Sequence, residues 1–208
     1  GALWVKLGIA TFFKQPLAMA GLFFMFMALM TVATMVPVFG LPLAMTLLPA
    51  TTLGLMAATL EVTRGKFPMP MVLLAGLRAK PGTARALLVL GVIYACGFLA
   101  AMGVSYLVDG GGFARMYLGG QTPAKEVLES SGFMAAMWTF MGLHLPLSLL
   151  LWHAPALVYW QDVPPIKSLF FSIVTCLRNF KAYLLFGLCW IGVMVAVLLA
   201  VLTVAGLF

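Results

Sequence analysis

Apolar runs at residues 17–36, 43–60, 86–108, 133–160 and 182–208 divide this chain, and almost all of its charge lies between them. A hydrocarbon core of roughly 30 Å takes about 20 apolar residues per helical span. The runs are apolar on every face, whereas the strands of a membrane barrel would alternate apolar and polar positions, so the expected spanning form is the α-helix. Gly21, Gly40, Gly54, Gly91, Pro37, Pro49 and Pro146 interrupt the runs, as membrane helices tolerate. The pattern predicts an all-α, polytopic transmembrane helical bundle forming a single membrane domain over residues 1–208. It has five spans here, and six are expected natively, because the chain lacks an initial Met and stops inside an apolar run at Phe208.

The connections carry their own periodicity. Residues 61–85 are basic, with a short apolar stretch at 71–77 that cannot span, and residues 109–130 are Gly-rich and slightly acidic. In residues 166–181, Ile166, Leu169, Phe170, Ile173, Leu177 and Phe180 recur at helical spacing, while Lys167, Ser168, Ser172, Thr175 and Asn179 take the opposite face. This predicts an amphipathic helix begun at Pro164-Pro165 and lying in the headgroup plane. Short apolar or amphipathic pieces also precede the first and third runs, at 6–14 and 71–77. The expectation is up to three interfacial helices and parallel repeats of interfacial helix plus hairpin, over 1–62, 68–160 and 164–208, the last incomplete.

Composition agrees with a membrane class. Only 8% of residues are charged and 64% are hydrophobic, against about a quarter charged in soluble domains. The net charge of +7 offers no basic face for a duplex, so no nucleic-acid partner is expected. Placing the N-terminus, 61–85 and 162–181 on one side gathers ten of the twelve basic residues with two acids there. Arg115 and Lys125 then face Asp109, Glu126 and Glu129 on the other. Positive charge marks the cytoplasmic side, so the N-terminus is expected inside the cell. The expected membrane-interface residues are Trp4, Lys14, Arg78, Trp152, His153, Trp160, Arg178 and Lys181, with Tyr159 and Tyr183 in the same aromatic belt. Cys96, Cys176 and Cys189 show no metal-ligand spacing and no disulfide framework.

Two stretches carry a family resemblance. Trp152-His153-Ala154-Pro155-Ala156-Leu157-Val158 is followed by Lys167-Ser168 and Arg178-Asn179-Phe180. Near the start, Gly1-Ala2-Leu3-Trp4-Val5 runs into Phe12-Phe13-Lys14-Gln15-Pro16-Leu17. Together these resemble a family of uncharacterised bacterial predicted inner-membrane proteins, and are distantly similar to the membrane region of glycerophosphodiester phosphodiesterases. The resemblance implies a helical fold in the bacterial inner membrane and brings no activity. The catalytic barrel of the phosphodiesterases has no counterpart in this sequence.

Candidate chemistry is sparse. His144 lies mid-span, where an ionisable residue is a functional hypothesis by default. It could bind a haem, pigment or metal or relay protons, or it could be a neutral histidine hydrogen-bonded to a neighbouring helix. His153 sits nine positions on, about 13.5 Å along a helix and on the opposite face, so the two cannot share a metal ion. Pro155 frees the carbonyl of Leu151, and residues 133–160 would run about 42 Å as one helix, so a kink or tilt is expected there. Asp109-Gly110-Gly111-Gly112 lacks the Lys-Ser/Thr that a phosphate loop needs. Glu61 is expected to pair with Arg64 or to join a cytoplasmic gate. Gly97, Ala101 and Ser105, and likewise Gly54 and Ala58, repeat at small-residue packing spacing.

No catalytic residue, metal site or cofactor is expected. The functional expectation is a non-enzymatic inner-membrane protein, an accessory or scaffolding subunit whose partners are membrane lipids and other integral membrane proteins. The alternatives are a small-solute transporter or channel, with a polar path along Thr51, Thr52, Thr59, His144 and Ser148, and a haem- or pigment-binding subunit through His144.

Overall fold

A computed structural model describes residues 1–206, so Leu207 and Phe208, the last two positions of the fifth apolar run, lie outside the described residues. The helices, in chain order, are α1 (Ala2–Lys14), α2 (Pro16–Thr34), α3 (Gly40–Thr63), α4 (Pro81–Asp109), α5 (Gly112–Gly119), α6 (Lys125–Leu128), α7 (Ser131–Leu151), α8 (Ala154–Gln161), α9 (Pro165–Arg178) and α10 (Phe180–Ala205). A 3-10 turn covers Pro70–Leu74 between α3 and α4. There is no strand among the described residues. Five helical stretches are long and apolar enough to cross a membrane: α2, α3, α4, α7 continued by α8, and α10. The protein is an all-α polytopic bundle.

Prolines set several helix starts. Pro16, Pro81 and Pro165 open α2, α4 and α9, where the missing amide is one the helix would leave unbonded anyway. Three times a short helix or turn precedes a long helix: α1 before α2, the 3-10 turn before α4, and α9 before α10.

The centre is α4, packed against α3 on one side and α7 on the other. Small residues permit the approach. A Cβ on Gly91 would collide with the Thr46 carbonyl of α3, and one on Gly54 would lie 2.5 Å from Leu73 of the 3-10 turn. Gly97 faces Leu147, and buried Ser105 donates to the Ala136 carbonyl of α7 at 3.0 Å. The small-residue repeats read from the sequence therefore mark two helix contacts.

The Gly-rich connection after α4 is more than a loop. Asp109 accepts from the amides of Gly111 and Phe113 at 2.8 and 2.6 Å, which starts α5. That helix folds back so that Phe113 and Tyr117 pack on Phe98, Phe133 and Phe140. α10 differs from the other spans. None of its residues is buried, and it touches the bundle through α1 and α9.

Candidate functional site

Two features gather the polar groups of the bundle: an open groove between α3 and α7–α8, and the break that separates α7 from α8.

The groove is a cavity of about 430 Å³. Pro49, Thr52 and Met56 of α3 form one wall, Tyr94 of α4 the floor, and Ser148, Trp152 and Pro155 the other wall. Pro49 and Pro155 each lack the amide that would bond a carbonyl of the preceding turn. Thr52 Oγ1 donates to the Leu48 carbonyl at 2.8 Å, so its methyl and an already bonded oxygen face the cavity. Among the described residues, the Tyr94 hydroxyl and Ser148 Oγ have no protein hydrogen-bond partner. The result is an apolar channel with two free hydroxyls near mid-span.

The break lies one turn beyond. In an unbroken helix the His153 amide would donate to the Leu149 carbonyl. Here a hydroxyl from another helix stands between them: Ser172 Oγ of α9 accepts from His153 N at 2.9 Å and donates to Leu149 O at 2.7 Å. Inserting a side chain into the helical ladder is one of the few ways to produce a sharp bend. Cys176, one turn further along α9, brings its Sγ within 3.8 Å of the same carbonyl. His153 Nε2 and the Tyr183 hydroxyl of α10 share a hydrogen bond. Trp4 of α1 meets the Tyr183 ring edge-on at 5.3 Å, and Trp152 meets it at 6.0 Å. Five helices are thus tied together at this point.

The chemistry available at the break is limited by these commitments. The Ser172 hydroxyl uses its proton on one backbone group and a lone pair on another, so it is no free nucleophile. His153 directs its Nε2 to Tyr183 rather than to Ser172. Burial pushes the Cys176 thiol above its ordinary value, against a smaller opposing pull from Tyr183, which keeps the sulfur protonated and unreactive at neutral pH.

The two faces of α9 divide less cleanly than the sequence periodicity implies. Lys167, Thr175 and Asn179 of the polar strip are exposed, but Ser168 and Ser172 are fully buried against the bundle, and Leu169 of the apolar strip is buried with them, while Ile166, Phe170 and Leu177 are exposed. In a membrane protein the buried strip is the one that can offer hydrogen bonds to broken backbone, while apolar side chains are satisfied by lipid. The periodicity located the helix; it did not separate the two serines that turn to the bundle from the polar residues beside them.

His144 lies in an aromatic enclosure. Its ring stacks on Phe140 at 5.2 Å and 10°, with Phe98 edge-on at 5.7 Å and Tyr94 at 6.1 Å. Nδ1 is buried without a partner. Thr51 and Thr52 do not supply one, because Thr51 bonds the carbonyls of Leu47 and Leu48, and Thr52 those of Leu48 and Pro49. Of the polar path read from the sequence, Thr52 and Ser148 line the groove, while Thr51 and His144 lie off its wall.

Among the interface residues, Trp4, Trp152 and His153 converge on Tyr183, while Trp160 packs edge-on against Tyr159 at 5.3 Å. Lys14, Arg78, Arg178 and Lys181 are exposed at helix ends or just beyond them. Glu61 forms no pair with Arg64: the ion pairs among the described residues are Lys80–Asp162 at 2.7 Å and Lys125–Glu129 at 3.7 Å. No three His, Cys, Asp or Glu side chains among them gather as a metal would require. Sequence reasoning missed Ser172 and Tyr94. The signal for Ser172 was present: Pro155 announces a broken helix, and a broken helix in lipid needs a donor and an acceptor from a neighbour.

Five membrane-length helices, two of them joined through the polar tie at Ser172 and Tyr183, define a polytopic α-helical membrane protein. Comparison narrows this. A protein of Burkholderia thailandensis described as a "Probable inner membrane protein" is 37% identical over 200 residues, spanning 95% of this chain and 74% of that protein. The chain belongs to that family of inner-membrane proteins. No protein-family model and no solved structure matches the chain. The distant similarity to the phosphodiesterase membrane region finds no support in these comparisons.

Proposed function

We propose that this is a non-enzymatic inner-membrane protein that holds lipid in the groove between α3 and α7–α8 and serves as an accessory or scaffolding subunit for other membrane proteins. The groove carries the reading. It is open, about 430 Å³, mostly apolar, and bears free hydroxyls at mid-span. Those hydroxyls favour a chain whose carbonyl or hydroxyl can meet them over a bare alkane. The exposed, apolar α10 supports the scaffolding role, since it offers a whole helix to lipid or to a neighbour.

Thr52→Trp fills the groove without touching the helix ties. The variant should purify with less bound lipid per protein than the parent when extracted by mass spectrometry; equal lipid would remove the groove from the proposal. The N-terminus and the basic loops face the cytoplasm in this reading. An impermeant thiol reagent added to intact cells should therefore label Gln121→Cys and spare Gly82→Cys, and the reverse pattern would invert the topology. Gln121 is chosen over Gly111, whose φ of +92° and closeness to the Tyr106 ring disfavour any side chain.

Transport is the second reading, favoured by Thr52 and Ser148 lining the groove from opposite walls. Binding of a haem or pigment at His144 is the third, favoured by the unpartnered Nδ1, and an absorption spectrum of the purified protein tests it.

A further inference from the structure

The depth of the groove between α3 and α7–α8 limits which lipid can fill it. Tyr94, on its floor, stands one residue from the middle of the 29-residue helix α4. Ser148, on its wall, stands two residues past the middle of the 31-residue span that α7 and α8 form. At a rise of about 1.5 Å per residue, both lie within about 3 Å of the middle of their spans. The ester oxygens and headgroup of a phospholipid lie at the edge of a core of roughly 30 Å, about 15 Å from its midplane. At the level of Tyr94 and Ser148 a phospholipid has only methylene groups to offer, and it would leave both hydroxyls unmatched.

Those hydroxyls are open to a ligand. Among the described residues, the polar side-chain atoms sealed inside the bundle without a partner are Gln15 Oε1 and His144 Nδ1. The Tyr94 hydroxyl and Ser148 Oγ also lack a protein partner, but they are not sealed, and both residues line the cavity. The lining holds no acidic or basic side chain. A charged head, a fatty-acid carboxylate included, would therefore lose its hydration there with no counter-charge to offset the cost. Tyr94 on the floor and Trp152 on the wall present flat ring faces, which suit a ring stacked against them. The volume of about 430 Å³ falls within the usual range for small-molecule sites, about 300–1,000 Å³.

From this we infer that the lipid of the groove is an isoprenoid quinone: a neutral, flat ring with two carbonyl oxygens on a long apolar tail. The hydroxyls of Tyr94 and Ser148 donate to the carbonyl oxygens of the ring. The tail leaves past Leu48, Met56 and Leu151 into the surrounding acyl chains. Such a ring carries no charge, so it reaches mid-span without the desolvation cost that bars a zwitterionic head. A fatty alcohol or a sterol brings one oxygen and would leave one of the two hydroxyls unmatched. The inference rests on the groove being a lipid site and names the lipid.

The test uses the full chain in detergent with three probes: decylubiquinone, decylbenzene, which has the ring and tail without the carbonyls, and phosphatidylethanolamine. Retention is read by native mass spectrometry. The parent should retain decylubiquinone roughly tenfold or more above decylbenzene. Tyr94→Phe and Ser148→Ala each remove one oxygen and leave the wall in place, so each should lower decylubiquinone retention about fivefold, as suits one neutral hydrogen bond. Retention of decylbenzene should stay at the parent level in both, which shows that the groove is intact; if one variant loses decylbenzene as well, the other decides. Equal retention of decylubiquinone and decylbenzene by the parent, or decylubiquinone retention unchanged in a variant that still holds decylbenzene, would overturn the inference. A fall in phosphatidylethanolamine retention equal to that of decylubiquinone would also overturn it, because the hydroxyls would then serve a phospholipid ester. If any of these happens while Thr52→Trp lowers retention of all three probes, the groove survives and the quinone alone fails. If Thr52→Trp leaves retention untouched, the groove reading fails and this inference with it.

Discussion

Removing the Ser172 hydroxyl is the most informative single perturbation of this bundle. Ser172→Ala deletes one oxygen from a fully buried position and leaves the His153 amide and the Leu149 carbonyl facing each other without it. In soluble proteins each buried backbone group left unpaired costs about 1–3 kcal/mol. In membranes, interhelical hydrogen bonds measured by double-mutant cycles average about 0.6 kcal/mol and reach about 1.7, because the unfolded chain in lipid finds other partners. The lower scale applies here, and two bonds are lost, so the expected destabilisation is about 1–3 kcal/mol. The helix cannot recover the full amount by straightening, since Pro155 keeps α8 from continuing α7 without a bend. Ser168→Ala is the control: it is equally buried, but its hydroxyl bonds the Pro165 carbonyl of its own helix at 2.7 Å and ties nothing together. Reversible unfolding in mixed micelles, followed by circular dichroism, gives both values. A Ser172→Ala effect within about 0.5 kcal/mol of Ser168→Ala would refute the idea that the hydroxyl supports the break.

The remaining predictions concern packing and the mid-span histidine. Gly91→Ala should separate α3 from α4, because its Cβ would meet the Thr46 carbonyl, and should lower stability by about 2 kcal/mol or more, within the usual range for overpacking; Gly103→Ala, which meets open space on the same helix, should be neutral or stabilising by about 0.5–1 kcal/mol. His144→Phe keeps the ring stack on Phe140 and removes the unpaired nitrogen, so it should stabilise the protein by about 1 kcal/mol; a clear loss of stability or of a visible absorption band would mean that Nδ1 holds a ligand.

The spans were legible because lipid allows so few alternatives. Runs of about 20 apolar residues with prolines at their edges leave helices as the only economical reading, and the structure starts α2, α4 and α9 at Pro16, Pro81 and Pro165. The small-residue contacts were legible for a related reason: backbone can approach backbone only where side chains are absent, and Gly97, Ala101 and Ser105 announce such a strip at i+4 spacing. Two things were hidden. The aromatic cluster that α5 builds over Phe98 and Phe140 comes from a stretch whose glycines read as loop, although Phe113 and Tyr117 already stood one helical turn apart. The groove was half legible, since Thr52 and Ser148 were singled out while Tyr94 on the intervening helix was not. Depth along a helix can be counted from sequence; which helix lies between two others cannot.

The hidden polar contacts have one physical cause. Between lipid-embedded helices the hydrophobic effect contributes little, because tails are as apolar as leucine, so close packing and hydrogen bonds must fix the arrangement. This chain spends its few polar side chains accordingly. Ser105 binds α7, Ser172 holds open the break in that same span, and Tyr183 fastens α10 to it through His153. A polar residue in such a protein is first a candidate for holding backbone, and only those left unbonded remain available for a ligand. By that criterion the hydroxyls of Thr51, Thr52 and Ser172 are spoken for, and Tyr94, Ser148, Glu61, Lys66 and Arg78 are free. Of these, Tyr94 and Ser148 line the groove between α3 and α7–α8, which is why the lipid proposal is placed there and not at the better-connected histidine.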